Sequence, residues 1–151
     1  MNSDHRAGQW EKTLKSSGFR ITEPIRVILR VLAESPRALG ALEIYDAGRQ
    51  QLPRLGLVTV YRTLAKMEET GLLQHIHQAD GCHRMAPACE GHQHLMICNR
   101  CGKLVFFTGD NMDSLFQRVA DSTGFRVEDH WLQLFGLCPE CVTSGAVMEP
   151  F

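Results

Sequence analysis

The chain has 151 residues, of which 44% are hydrophobic and 22% charged, enough for one medium domain or two small ones with a buried core. These proportions exclude a disordered tail protein and a collagen-like repeat. They also exclude a membrane protein, because no apolar run approaches the ~18 residues that a spanning helix needs. The first residues, Met-Asn-Ser-Asp-His-Arg, lack the apolar core of a secretion signal, so we expect the chain to act in the cytoplasm.

Charge and cysteine are unevenly distributed along the chain. Residues 1–75 contain eleven Lys or Arg and eight Asp or Glu, a net charge of +3, whereas residues 76–151 contain five and nine, a net charge of −4. All six cysteines and five of the seven histidines lie at position 77 or later. In a reducing compartment, six cysteines favour metal ligation over disulfides. The sequence therefore predicts two domains, residues 1–88 and residues 89–151.

The first half predicts four helices followed by a β-hairpin. The helices are expected over 9–17, from the cap Thr22 to about 34, over 41–51, and from Thr59 to Gly71. Extended runs at 72–77 and 82–87 flank the turn sequence Ala-Asp-Gly. This order is typical of a winged helix-turn-helix, the alternative being a small helical bundle that binds nothing.

The fourth helix has the composition of a DNA-recognition helix. Thr59, Tyr61 and Arg62 lie at its start, where a few polar and long side chains reach base edges. Lys15 and Arg20 are candidates for phosphate contacts, which fix register without reading sequence. The alternative is that Tyr61 belongs to the core and that Arg62 is a solvated charge.

The second half predicts a small α/β domain. Extended segments are expected at 92–97 and 104–107, a helix at 110–122, and a long strand at 125–135. With the helical first half, the predicted fold class is α+β.

Two C-x-x-C pairs are the most specific motif in the chain. Each pair places two sulfurs on one side of a tight turn, and two pairs complete a tetrahedral four-thiolate site that favours structural zinc. The 36 residues between the pairs must contain folded structure. A redox dithiol at the second pair, or two unrelated pairs, are the alternatives. The predicted ligands are Cys98, Cys101, Cys138 and Cys141.

A second group of metal ligands is spread through the same half. His92 and His94 lie two residues apart on an extended segment, so both imidazoles project from one face. Asp113 lies in the first turn of the predicted helix, and His130 lies in the predicted long strand among apolar residues. Three imidazoles and one carboxylate suit zinc or ferrous iron. Taken singly, each histidine is also compatible with a surface or hydrogen-bonded role.

Several motifs together resemble the ferric uptake regulator family. They are Thr-Val-Tyr-Arg-Thr-Leu at 59–64, Gly-Leu-Leu at 71–73, His-Gln-His-Leu-Met-Ile-Cys-x-x-Cys-Gly at 92–102 and Phe-Gly-x-Cys-x-x-Cys at 135–141. The resemblance implies a dimeric, metal-responsive winged-helix repressor with a C-terminal α/β dimerisation domain and a structural zinc on the four cysteines. Zinc is the favoured signal, so a zinc-uptake-regulator-like member is expected.

The resemblance assigns one sensing site and removes another. His92, His94, Asp113 and His130 fall on the family's ligand positions in the dimerisation domain. At the family's hinge site this chain instead has Ala86, Gln93, Leu95 and Phe106, which cannot bind metal. A rebuilt site has four candidate ligands near the hairpin, although Cys82 and Cys89 are equally compatible with small buried side chains and His83 with a wing residue near DNA. The candidates are His77, Cys82, His83 and Cys89.

The leading functional prediction is a repressor for which metal, zinc or ferrous iron, is the co-repressor at a near-palindromic operator. Its predicted partners are double-stranded DNA and a second copy of the chain, with no membrane and no small organic substrate. An enzyme is not expected, because the chain lacks the motifs of zinc deaminases, P-loop proteins and zinc proteases. An iron- or peroxide-sensing regulator of the same family and, more remotely, a zinc scaffold without a DNA role remain the alternatives.

Overall fold

The computed structural model describes residues 3–77, 83–109 and 112–144. The chain divides into two compact units, Met1–Ala88 and Cys89–Phe151, and each is described by itself. None of the helices among the described residues combines the length and the apolar character needed to cross a bilayer.

Four helices form most of the first unit. They are α1 (Ser3–Ser16), α2 (Glu23–Glu34), α3 (Ala41–Gln51) and α4 (Leu57–Glu69). Helix α1 begins six residues before the predicted start, and α4 begins two residues before Thr59, with Gly56 as its N-cap. At the start of α3 the backbone N–H of Gly40 donates a hydrogen bond to the Glu43 carboxylate at 2.9 Å. This contact satisfies the N–H of the N-cap residue.

The helices enclose one apolar core. The buried face of α2 packs on α1, α3 and α4, and its Ile28 and Leu29 are almost completely buried. The predicted apolar stripe of α4 is also buried, with Val60 and Met67 fully enclosed. This core fixes α4 and leaves its opposite face exposed.

A three-stranded antiparallel sheet completes the first unit. Its strands are β1 (Leu39–Gly40), β2 (Leu73–His77) and β3 (His83–Pro87), in the order β1-β3-β2. Leu73 pairs with Pro87 and His77 with His83, which is the register of the predicted hairpin. Strand β1 was not predicted, because a two-residue strand is too short to show alternation.

The second unit contains a mixed sheet and two helices. Strand β4 (Gln93–Cys98) lies between an antiparallel β5 (Leu104–Thr108) and a parallel β6 (Gln133–Gly136). Helix α5 (Asp113–Thr123) connects β5 to the second half of the unit, and α6 (Pro139–Thr143) follows β6. Leu95 and Ile97 of the central strand are completely buried.

The predicted strand over 125–135 is wrong for most of its length. Only Gln133–Gly136 is a strand, paired with residues 95–98 of β4. The preceding segment contains the exposed charges Arg126 and Asp129, and such side chains do not form the half-buried face that a strand needs. His130 therefore lies outside the sheet in an exposed segment, and not among buried apolar residues.

Candidate functional site

The four predicted zinc ligands lie together. The sulfur atoms of Cys98, Cys101, Cys138 and Cys141 are all within 4.8 Å of one another. Cys98 ends β4, and Gly102 (φ 73°) has the left-handed conformation that closes the first turn. Cys138 is the N-cap of α6, with a proline at the first position of the helix. Strand ends and a helix start thus bring the two pairs into one cluster.

Hydrogen bonds prepare part of this cluster for a cation. Burial raises the pKa of Cys98, but the backbone N–H groups of Cys101, Cys138 and Arg100 favour the thiolate and lower that pKa to about 6. The N–H of Cys138 donates to the Cys98 sulfur at 3.3 Å. A hydrogen bond to the Glu140 carboxylate, together with burial, raises the pKa of Cys138 to about 12. The cluster therefore holds protons that a metal would displace, and its four sulfurs fit structural zinc.

Two basic side chains connect the two cysteine turns. The guanidinium of Arg100 donates to the carbonyl oxygen of Cys141 at 3.2 Å and to the hydroxyl of Ser144 at 2.7 Å. The ammonium of Lys103 donates to the Glu140 carboxylate at 2.6 Å. These contacts join the segment after β4 to α6 independently of any ion.

The second predicted ligand set lines one pocket of the second unit. His92, His94, Asp113 and His130 all border a cavity of about 490 Å³ between β4, α5 and the segment before β6. The ring centroids of His94 and His130 lie 5.2 Å apart, and the Phe116 ring lies 4.6 Å from that of His130. His94 is 6% exposed, so its imidazole is held in place by packing.

Two features of this pocket were not predicted from the sequence. Glu128 and Asp129 also line it, adding two carboxylates to Asp113. The only sequence feature that could have indicated these two carboxylates is that they lie next to His130 in the chain. Gly109 packs directly on His94, since a Cβ there would lie 2.6 Å from the imidazole. Within the described part of the chain, only the four cysteines bring three or more ligating atoms into one cluster.

The four candidates for an additional site are not all described, and those that are belong to different units. Cys82 lies outside the described residues. His83 begins β3 in the first unit, with its Cα paired to that of His77, whereas Cys89 is half-buried in the second unit. At two of the hinge positions that the resemblance implies, Ala86 and Leu95 are completely buried and offer no ligand atom.

The exposed face of α4 carries the predicted base-contacting residues. Tyr61 is 55% exposed, which excludes the interpretation that it belongs to the core. Val58 and Arg62 are exposed on the same face, and Thr59 beside them is half-buried. At the end of α1, Lys15 is 2.7 Å from Glu11 and 55% exposed, and Arg20 is exposed after the helix. The face can therefore present one aromatic ring and one guanidinium to a partner.

Comparison with known proteins identifies the family. The profile of the ferric uptake regulator family matches residues 16–135. The chain is 36% identical over 130 residues to the peroxide operon regulator of Bacillus subtilis (strain 168), covering 86% of this chain and 89% of that protein. The chain belongs to the ferric uptake regulator family. It is thus a metal-responsive, dimeric DNA-binding transcriptional regulator, and not an enzyme.

Solved structures agree with this fold. A zinc-bound manganese uptake regulator is 30% identical, with a TM-score of 0.67, and the match covers 85% of this chain and 98% of that one. A zinc uptake regulator complexed with zinc and DNA is 23% identical, with a TM-score of 0.68 and coverage of 95% and 97%. The α+β fold class, the winged-helix and α/β architecture and the zinc-type cysteine cluster predicted from sequence are confirmed.

Proposed function

We propose that this regulator is zinc-uptake-regulator-like: a repressor in the cytoplasm for which zinc is the co-repressor, bound at His92, His94, Asp113 and His130. The observation that carries the proposal is the pocket that these four side chains share, with His94 and His130 5.2 Å apart. Imidazole-rich ligation suits a borderline ion such as zinc. We assign residues 89–151 to metal binding and dimerisation.

Residues 1–88 then form the DNA-binding domain. We propose that Thr59, Tyr61 and Arg62 contact bases from the exposed face of α4, while Lys15 and Arg20 contact phosphates. A two-fold dimer presents two such helices, so the operator is a near-palindrome with half-sites about 34–36 Å apart.

Coupling between the pocket and DNA follows from where the ligands lie. His92 and His94 flank the start of β4, Asp113 begins α5, and His130 precedes β6. One ion held by all four would fix the helix against the sheet in the dimerisation domain. Such coupling is reciprocal and typically amounts to about 1–3 kcal/mol.

The test is His130→Ala and Asp113→Ala, assayed for metal stoichiometry, dimerisation and gel shift. We expect both variants to keep the zinc of the four cysteines and to lose the second ion and the metal response. His5→Ala, on the exposed face of α1, is the matched control. Normal metal-dependent binding by both variants would move sensing to other residues, the first of which are His77, Cys82, His83 and Cys89.

Iron or peroxide sensing is the second candidate. It is favoured by the three carboxylates around the pocket, Asp113, Glu128 and Asp129, because oxygen ligands suit harder ions than sulfur or imidazole does. It is also favoured by the similarity to a peroxide operon regulator. Gel shifts at buffered free Zn²⁺ and, without oxygen, Fe²⁺ separate the two: activation by Fe²⁺ alone would reject zinc as the signal.

A further inference from the structure

A further group of ligating side chains lies in the first unit, where β2 packs on α4 and pairs with β3. The Nε2 atom of His75, in β2, is 2.6 Å from Oε1 of Glu68, in the last turn of α4. His83 begins β3, and its ring centroid is 6.1 Å from that of His75, with the ring planes at 72°. All three side chains line one cavity of about 750 Å³.

The spacing of these groups is close to that of ligands on one ion. Because zinc–nitrogen bonds measure about 2.0–2.1 Å, two imidazoles on the same ion hold their ring centres roughly 5–6 Å apart. The Glu68 oxygen and the His75 nitrogen are 2.6 Å apart, which is a hydrogen-bond distance, whereas two ligands of one zinc ion lie roughly 3.3 Å apart. An ion would therefore replace the proton between them after a side-chain shift of less than about 1 Å. His83 is exposed, so a change of rotamer can bring its ring nitrogen to the other two groups.

We propose that Glu68, His75 and His83 form a binding site for a divalent cation of the zinc type. Two imidazoles and one carboxylate, with water in the remaining position, are a donor set that zinc accepts. The side chains of His75 and Glu68 are 36% and 44% exposed, so an ion and its water can enter from solvent. The site is separate from the four cysteines and from the His92–His130 pocket, which belong to the second unit.

The position of the site gives it a consequence for DNA binding. Glu68 lies on the helix that carries Tyr61 and Arg62, and Tyr61 lines the same cavity. An ion held by Glu68 and the two histidines ties the β2–β3 pair to α4. Metal then acts directly on the DNA-binding unit, at concentrations above those that fill the other sites, because this site has fewer protein ligands.

The first test is zinc binding to the full-length protein, measured by calorimetry and by elemental analysis after gel filtration at fixed free Zn²⁺. The unmodified protein should show a weak class of one Zn²⁺ per chain beyond the tighter sites. His75→Gln and His83→Gln should each weaken that class at least tenfold, whereas His5→Gln, which removes an exposed histidine from α1, should leave it unchanged. Unchanged zinc binding by both hairpin variants, or no weak class in the unmodified protein, would overturn the proposal.

The same comparison in a His130→Ala background separates this site from the proposed sensing pocket. In the His130→Ala protein, the total number of zinc ions bound per chain depends on whether the proposed sensing pocket still binds one. The change in zinc binding caused by His75→Gln depends only on the site in the first unit. Hydrogen exchange gives a second readout that does not rely on stoichiometry. Added Zn²⁺ should slow exchange of the β2 amides (Leu73–His77) in the unmodified protein and not in His83→Gln. Equal protection in both proteins would contradict an ion bound at His83.

Discussion

At the scale of single residues, the proposed sensing pocket depends on how closely Gly109 approaches His94. The space beside the imidazole is too small for a methyl group, because a Cβ at position 109 would lie 2.6 Å from one ring carbon and 2.7 Å from Nε2. A buried ring cannot yield without leaving its packing against Phe107, whose centroid is 5.5 Å away. Glycine at position 109 thus sets the direction of one proposed ligand.

Gly109→Ala should therefore turn His94 away from the pocket. Changes that reorient a metal ligand typically cost 10–100-fold in metal affinity, and we expect a loss in that range at the second ion, with the four-cysteine zinc retained. Zn²⁺ titration against a competing chelator measures it. Gly8→Ala is the control, since nothing lies within 4 Å of a Cβ at that position. Equal affinities for the two variants would contradict the role of Gly109 in setting the direction of His94.

The residues proposed to contact DNA allow base contacts to be distinguished from phosphate contacts. Arg62→Ala should weaken specific operator binding by about 1–3 kcal/mol, because a lost base contact affects only the matching sequence. Lys15→Ala should weaken binding to all sequences alike and reduce the salt dependence by about one counterion. Gel shifts on specific and scrambled DNA at several salt concentrations distinguish them. If Arg62→Ala leaves both affinity and preference unchanged, base recognition belongs to other residues.

At the scale of elements, a charged group ties α1 to α2. The Glu11 carboxylate accepts hydrogen bonds from Lys15 at 2.7 Å and from Arg26 at 3.2 Å, and these two cations lower its pKa. Since the folded-state pKa is lowered, the contribution to stability is present above the unfolded-state pKa and is lost as the pH falls through the folded-state value.

Glu11→Gln should therefore reduce the stability of the folded protein at pH 7 by about 0.2–1 kcal/mol, the size of an ordinary surface ion pair. The difference from the unmodified protein should shrink below about pH 4.5, where the unfolded-state carboxyl is protonated. Urea unfolding at pH 7 and pH 4 checks this, with Glu34→Gln at the exposed end of α2 as the control. A difference that persists unchanged at pH 4 would exclude the ion-pair explanation.

The sequence predicts an element well when the interactions that form it join residues close together in the chain. The bounds of α3 and the register of β2 with β3 follow from periodicity and turn residues close in sequence. The prediction of a strand over 125–135 was wrong in its length. The length of β6 is set by its pairing with β4, and β4 lies far from β6 in the sequence. The cysteine turns could be predicted from the C-x-x-C spacing of each pair. The approach of Glu68 to His75, or of Glu128 to the proposed sensing pocket, could not be predicted, since side-chain packing between separate elements leaves no pattern in the sequence.

At the scale of the whole molecule, we expect the four-cysteine cluster to control the integrity of the second unit. Helix α5 has no buried residue, and exposed apolar side chains such as Phe125 and Trp131 (76% and 62% exposed) are too numerous for a strong core in one protomer. We therefore expect metal binding and dimerisation to supply much of the folding free energy of this unit.

Cys138→Ser should release the structural zinc, unfold the second unit and abolish the dimer. Elemental analysis, gel filtration and near-ultraviolet circular dichroism together measure these losses. Cys89→Ser, at a cysteine outside the cluster, is the matched control and should keep zinc and the dimer. A Cys138→Ser protein that remains dimeric with its full complement of zinc would contradict the assigned ligand set.

The parallel pairing of β4 with β6 has a consequence for the order of folding. The two strands are joined through β5 and α5, so their alignment requires closing a long loop, which is entropically costly and slow. Cys98 ends β4 and Cys138 comes two residues after β6, so a cross-link between the cysteine pairs closes that loop at the carboxyl ends of both strands. A displacement of β6 by one residue would turn its side chains to the other face and move Cys138 away from Cys98. A cation on the four sulfurs would therefore favour the correct strand alignment as the chain folds, and we expect β6 to be held less firmly, by its backbone pairing and the Arg100 and Lys103 contacts alone, in a chain made without zinc.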